Sequence, residues 1–297
     1  MTSTAVARPY NPLLPGLAVA VCGALWGFFW YPLHWLTGLG VGGAWVSLIF
    51  NAVALFTPLP WLLRRAAWKE FPHQAVNGLL LGAAFSLYTL SLVMTDVIHA
   101  ILLFYLTPLW STIGAWLLLG EPLTGPRLAA IGVGFSGMAL ILGGGMALPV
   151  PHNAGDWIAL ISGLLWSAGS MRSYARPATS IPMPVLCFAG GGFVSAAVIL
   201  VLTAVMAPAL AEPGAVLPNL PSIVVLALVM FVPPNFLVLW ASQRIDPGRV
   251  GILLMTEVLA GAISSALLSG EPFGWRELTG TAMIVCAGLV EVLGRRV

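Results

Sequence analysis

Polar residues interrupt this chain at a regular beat. Between them lie ten mostly apolar runs, at 13–36, 42–63, 72–93, 98–119, 127–147, 155–174, 183–206, 219–241, 249–269 and 275–293. A helix rises about 1.5 Å per residue, so about 20 apolar residues cross the roughly 30 Å hydrocarbon core of a bilayer. Each run therefore predicts a transmembrane helix. The connections are short and rich in Pro, Gly and Asp, as in LPVPHNAGD and APALAEPGAVLPN. A membrane barrel would need short alternating strands, which these continuous runs are not. The first run follows a short polar lead, MTSTAVARPYNP, is too long for a signal-peptide core and has no clear cleavage site, so it reads as a retained helix. The expected fold class is an all-α integral membrane protein with ten transmembrane helices.

Composition agrees. The 297 residues are 59% hydrophobic and only 7% charged, against about 25% charged in a soluble domain. Charge placement then orients the chain. With the N-terminus in the cytoplasm, Arg8, Arg64, Arg65, Lys69, Arg127, Arg172, Arg176, Arg244, Arg249, Arg295 and Arg296 share that side, and Arg276 alone lies opposite. This is the positive-inside pattern, and it puts both termini in the cytoplasm. Lys69 is the single lysine, and no G-x-x-x-x-G-K loop exists, which argues against ATP-driven transport. No basic patch interleaved with aromatics points to nucleic acid. Cys22, Cys187 and Cys286 sit in apolar runs without metal-ligand spacing, and His34, His73, His99 and His152 are scattered. No metal or other cofactor is expected.

An internal repeat is visible. Laid over 238–272 without a gap, 88–122 places Asp96 on Asp246 and Gly120-Glu121-Pro122 on Gly270-Glu271-Pro272. Near the start of each half, GALWG (23–27) matches GLLWS (163–167), which sets Trp26 on Trp166. The halves are 1–150 and 151–297, with five helices each. Five is odd, so the halves enter the membrane from opposite sides, the inverted-topology repeat of many secondary transporters. Gly-Glu-Pro reads as a corner: Gly stops the helix, Pro prevents its continuation, and Glu sits near the next helix N-terminus.

The stretch YLTPLWSTIGAWLLLGEPLTGPRLAAIGVGFSGMALIL resembles the repeat of EamA-type carriers of the drug/metabolite transporter superfamily, through Pro108, Gly120, Glu121, Gly132 and Gly137. The second half matches at Gly270, Glu271, Gly280 and Gly288 and departs at Val258, which replaces the proline. Within that superfamily the whole chain most resembles YddG-type amino-acid exporters in length and in its Trp-rich first helix. The resemblance implies a ten-helix monomer of the bacterial inner membrane that exports aromatic and other neutral amino acids from a central cavity, and the single deep acid, Glu257, without a converging cluster of acids, His or Ser, argues against an enzyme.

Candidate site residues follow from depth and chemistry. Glu257 lies mid-run, where a charge costs about 2.5–3.5 kcal/mol and must face protein or water. It reads as a proton site coupled to export, as a partner for a substrate ammonium, or as a protonated Glu bonded to a neighbouring helix. Pro233-Pro234 must interrupt the eighth run, freeing carbonyls beside Asn235, and Pro108 is a further hinge candidate. Trp26 and Trp30, four residues apart, share one face of a continuous helix. With Trp166 they could wall a cavity, stack an apolar side chain and donate indole N–H groups to a carboxylate. Tyr88, Phe104, Tyr105 and Thr107 complete the expected lining. The fifth and tenth runs, with Gly132, Gly134, Gly137, Gly143, Gly144, Gly145, Gly280 and Gly288, are expected to pack closely as buttresses. Two rival readings keep a place: the same fold carrying drugs or lipophilic cations with Glu257 as counter-ion, and an intramembrane enzyme, which would need several converging acids, His or Ser.

Overall fold

The computed structural model describes residues 13–63, 65–95, 97–141, 151–206, 208–269 and 274–293. Arg8, Arg64, Asp96, Gly143, Gly144, Gly145, Arg295 and Arg296 lie outside these residues, as does the second Gly-Glu-Pro corner at 270–272. Among the described residues the structure is helical, and helix occupies every apolar run. The helices are α1 (Leu13–Gly27), α2 (Trp30–Gly38), α3 (Gly43–Phe56), α4 (Phe71–Met94), α5 (Val97–Phe104), α6 (Thr107–Gly114), α7 (Gly125–Ile141), α8 (Ala154–Ala175), α9 (Pro182–Met206), α10 (Val216–Leu226), α11 (Val232–Ala241), α12 (Pro247–Leu254), α13 (Thr256–Ser269) and α14 (Trp275–Leu293). Three helical stretches, Leu13–Gly38, Pro182–Val205 and Val216–Ala241, are long and apolar enough to cross a membrane. The outer surface is apolar as well: Leu63, Val205 and Leu267 are each more than three-quarters exposed, an arrangement suited to lipid rather than water.

The packing pairs one half of the chain with the other. α1 lies on α13, α11 and α12; α3 on α9; α4 between α8 and α9; α6 on α12; and α7 on α14. Glycine sets the close crossing of α4 and α9. Gly78 and Gly82, four residues apart on α4, face Cys187, Phe188, Gly191 and Gly192 of α9 so closely that a Cβ at either glycine would collide with α9 backbone. Without a hydrophobic force to drive helices together in lipid, such close approach supplies the dispersion contact that does. The expected buttress pair also forms: a Cβ on Gly137 of α7 would press on the Gly280 carbonyl of α14. Gly132 meets nothing within 4 Å and has no such role.

Helix ends follow ordinary capping chemistry. Asp246 caps α12 by accepting from the N–H groups of Gly248 (2.8 Å) and Arg249 (3.4 Å), and Asn153 caps α8 by accepting from Asp156 N–H at 3.0 Å. The fourth run ends in a π-type turn over Ala115–Leu119, closed by Gly120 at φ +69° and by the Glu121 N–H donating to the Ala115 carbonyl at 3.2 Å. The Glu121 carboxylate accepts from the Tyr174 hydroxyl of α8 at 2.9 Å, so the corner also ties the halves together. Gly120→Ala is expected to cost about 1 kcal/mol, because a Cβ disfavours the left-handed region. A thermal-unfolding midpoint equal to that of the unsubstituted protein would rule that out.

Charge concentrates where α6, α7 and α12 meet. Arg127, in the first turn of α7, pairs with Asp246 at 3.3 Å, with side chains 10% and 2% exposed. Burial pushes the Asp246 carboxyl above the usual carboxylate range, and the Arg127 guanidinium pulls it back. Beside the pair, Gly248 lies against Thr112, and one turn on, Gly251 lies against Pro108.

Candidate functional site

Aromatic rings from both halves meet at the centre of the helices. The Trp26 ring of α1 lies edge-on to the Trp166 ring of α8, with centroids 6.4 Å apart, and 6.1 Å from Phe85 of α4. Phe104 of α5 stands 6.4 Å from Trp166 and stacks on Tyr88 of α4 at 4.2 Å. Phe85 continues the cluster to Phe231 and Phe188. Two polar atoms of this cluster are buried without a hydrogen-bond partner, Trp26 Nε1 and Trp166 Nε1, and Asn235 Oδ1, on the turn of α11 that follows Phe231, is another such atom. A buried indole N–H normally finds an acceptor, and a buried polar atom without one costs roughly 1–3 kcal/mol. Two indole donors thus stand open among the rings of both halves.

Interrupted helices bring in the remaining polar groups. The fourth run breaks at Tyr105–Leu106, between α5 and α6, and the ninth breaks at Met255, between α12 and α13. Met255 falls on Tyr105 in the 150-residue repeat, so both halves break at the same place. Each break carries a threonine hydroxyl that donates to the carbonyl three residues back, Thr107 to Phe104 at 2.5 Å and Thr256 to Leu253 at 2.9 Å. Such side-chain bonds compete with the helical ladder. Glu257 then sits in the first turn of α13, partly buried, where the Tyr105 hydroxyl lies 2.5 Å from its Oε2 and 3.1 Å from the Leu254 carbonyl. A Cβ at Gly27 would strike the Glu257 backbone carbonyl, so α1 lies directly against this turn.

The same family model, that of the EamA-like transporter family, matches residues 14–143 and again residues 153–292. The chain belongs to the EamA-like transporter family. Members are transporters and not enzymes, and they are integral membrane proteins with apolar helices. A solved structure titled "Crystal structure of protein" superposes with a TM-score of 0.72 at 20% identity, covering 94% of this chain and 98% of that one. At that identity the likeness shows the fold alone. No curated protein matches the sequence.

In this EamA-like chain the expected lining residues divide. Trp26, Tyr88, Phe104 and Trp166 share one cluster, Tyr105 adjoins it through Phe104 at 5.4 Å, and Tyr105 reaches Glu257. Trp30 does not share a continuous helical face with Trp26. Pro32 has no N–H to offer the Phe28 carbonyl, which takes the Tyr31 N–H instead. The helix therefore breaks at Phe28–Phe29, and Trp30 opens α2 with its Nε1 donated to Ser264 at 2.8 Å. The Thr107 hydroxyl is spent on the Phe104 carbonyl. Pro108 accounts for the break at Tyr105–Leu106 as Pro32 does for its own: it has no N–H to offer the Phe104 carbonyl, which takes the Thr107 hydroxyl instead, and it stands second in α6 against Gly251. Pro233 and Pro234 open α11 behind a π-type turn at Ala227–Phe231, which makes room for their rings. Asn235 Nδ2 bonds the Phe231 carbonyl at 2.9 Å, and the Pro234 carbonyl accepts from the Cys22 thiol of α1 at 3.4 Å. Sequence reasoning missed Phe85, Phe231 and Phe188. Phe85 sits three residues before Tyr88 on α4, a helical spacing that could have pointed to it.

Proposed function

We propose that this EamA-like protein is a secondary transporter that exports amino acids, aromatic and other neutral ones, across the bacterial inner membrane. In this reading it is a ten-helix monomer with both termini in the cytoplasm, built from inverted repeats at 1–150 and 151–297. The cargo binds among Trp26, Tyr88, Phe104, Tyr105, Trp166, Asn235 and Glu257, with Trp30 and Thr107 flanking and Pro108, Pro233 and Pro234 at the bends. The observation that carries the reading is a pair of open indole N–H groups, on Trp26 and Trp166, suited to a carboxylate and set among aromatic rings, with the Asn235 oxygen also open one turn from Phe231 and the Glu257 carboxyl suited to an ammonium. A carboxylate held this way needs no arginine.

Packing supports alternating access. The helix pairs obey the two-fold relation expected of repeats: α1 with α13 matches α8 with α5 and α6, and α4 with α9 matches α11's run with α3. One pair departs. α6 packs tightly on α12, whereas their repeat counterparts, α13 and α5, make no comparable contact among the described residues. Rocking one half would exchange the two contacts and open the opposite face. Glu257 also favours a second reading, export of lipophilic cations, because its carboxyl group lies within an apolar run and meets a tyrosine hydroxyl rather than a base.

The test is flux of radiolabelled phenylalanine from loaded liposomes. Flux well above that of empty liposomes is expected, and Trp166→Ala should lower it roughly tenfold or more by removing one carboxylate donor. Flux of a lipophilic cation without phenylalanine flux would replace the amino-acid reading with the second one.

A further inference from the structure

We propose that Glu257 and Tyr105 form a proton-binding site that is occupied in this structure, and that its proton leaves when an ammonium group docks on Glu257. This rests on the transport reading above for the identity of the docking group, but the proton site itself rests on hydrogen counting. The break at Met255 removes the helical partner of the Leu254 carbonyl: the Val258 N–H, which would serve it in a continuous helix, bonds the Met255 carbonyl at 3.0 Å. The Tyr105 hydroxyl lies 3.1 Å from that carbonyl and 2.5 Å from Glu257 Oε2. It has one proton to give. If it gives that proton to a carboxylate, the buried Leu254 carbonyl is orphaned, at a cost a native fold rarely bears. If Glu257 is the neutral acid, it donates to the tyrosine oxygen, the tyrosine donates to Leu254, and two protons satisfy two bonds along one line.

No positive charge acts on the Glu257 carboxyl among the described residues. Among the described residues, Tyr105 and Tyr88 are the titratable groups that interact with the Glu257 carboxyl. α1 packs here with Cys22, whose thiol is donated to Pro234. On α7, Arg127 faces Asp246. On α14, Arg276 and Cys286 are exposed, and Glu277 and Glu291 lie toward its two ends. Glu257 as a residue is of intermediate exposure, and the proposed step requires the cargo to reach its carboxyl. An arriving ammonium then supplies the missing cation. The carboxylic acid gives its proton to water, the carboxylate pairs with R–NH3+, and the charge of the site is the same before and after. Bound cargo and bound proton thus exclude one another, the condition for exchange of one against the other.

Infrared difference spectra of the purified full-length protein in detergent, stepped from about pH 5 to about pH 9, test the site without any cargo. A carboxylic-acid C=O band is expected at neutral pH, absent in Glu257→Gln and displaced in Tyr105→Phe. Gln keeps the shape and donor of the neutral acid, and Tyr105→Phe gives a second variant should Glu257→Gln fail to fold. No band that depends on Glu257 overturns the proton site. Phenylalanine and phenethylamine then serve as probes, with binding read by tryptophan fluorescence. Loss of the band, with about one proton released per site into weakly buffered solution, is the expected outcome. A bound probe that leaves the band in place overturns the exchange and leaves the transport reading standing. Binding of neither probe overturns both the exchange and the amine cargo, while the band still decides the proton site.

Discussion

Gly82→Leu is expected to drive α4 away from α9 and to lower the stability of the fold by about 3 kcal/mol or more. Any side chain at this position meets the Phe188 carbonyl and the Gly191 and Gly192 backbone. Backbone cannot rotate aside as a flexible side chain can, so the helices must part over their whole crossing. α4 is also the helix that carries Phe85 and Tyr88, so separating it would loosen the aromatic centre. Gly132→Leu is the control, because Gly132 is exposed and touches nothing within 4 Å. There, better helix propensity should leave stability unchanged or raise it by up to about 1 kcal/mol. Thermal denaturation in detergent separates the cases, and equal midpoints for the two leucine variants would refute the role given to this crossing.

Asp246→Ala should have an effect at least as large, a loss of about 4–6 kcal/mol. Two terms add: the guanidinium of Arg127 loses its buried carboxylate, worth about 3–5 kcal/mol when one partner alone is removed, and α12 loses the cap on its first N–H groups, worth about 1 kcal/mol. Asp246→Asn should keep most of the cap and lose only the charge. The double substitution Arg127→Ala with Asp246→Ala should cost clearly less than the sum of the single ones, because neither charge is then stranded. Strict additivity in that cycle would mean that the ion pair does not couple α7 to α12.

Much of this fold is legible in the apolar runs, because bilayer thickness imposes a length that survives any detail of packing. The run at 155–174 is α8 at Ala154–Ala175, and the run at 183–206 is α9 at Pro182–Met206. What happens inside a run is less legible. Pro233-Pro234 announces its own interruption. The break at Met255 has no proline or glycine at its centre and depends on Thr256, whose hydroxyl also bonds the Ala20 carbonyl of α1 at 2.8 Å, a partner 236 residues away. The break at Phe28–Phe29 was within reach, since Pro32 disables the carbonyl four residues before it. The α4–α9 crossing was not, because Gly78 and Gly82 acquire meaning only opposite Gly191 and Gly192, and a sequence does not say which helices face. Glu257 stood out by depth alone, but its bond to Tyr105 joins residues 152 apart.

The edge-on contact between Trp26 and Trp166 has an optical consequence. Two indoles with centroids 6.4 Å apart couple their electronic transitions, and coupled chromophores in a chiral setting give a paired positive and negative band in circular dichroism. One ring comes from each half of the chain. The molecule therefore carries a built-in ruler across its own dividing line, readable without a label in the unmodified protein.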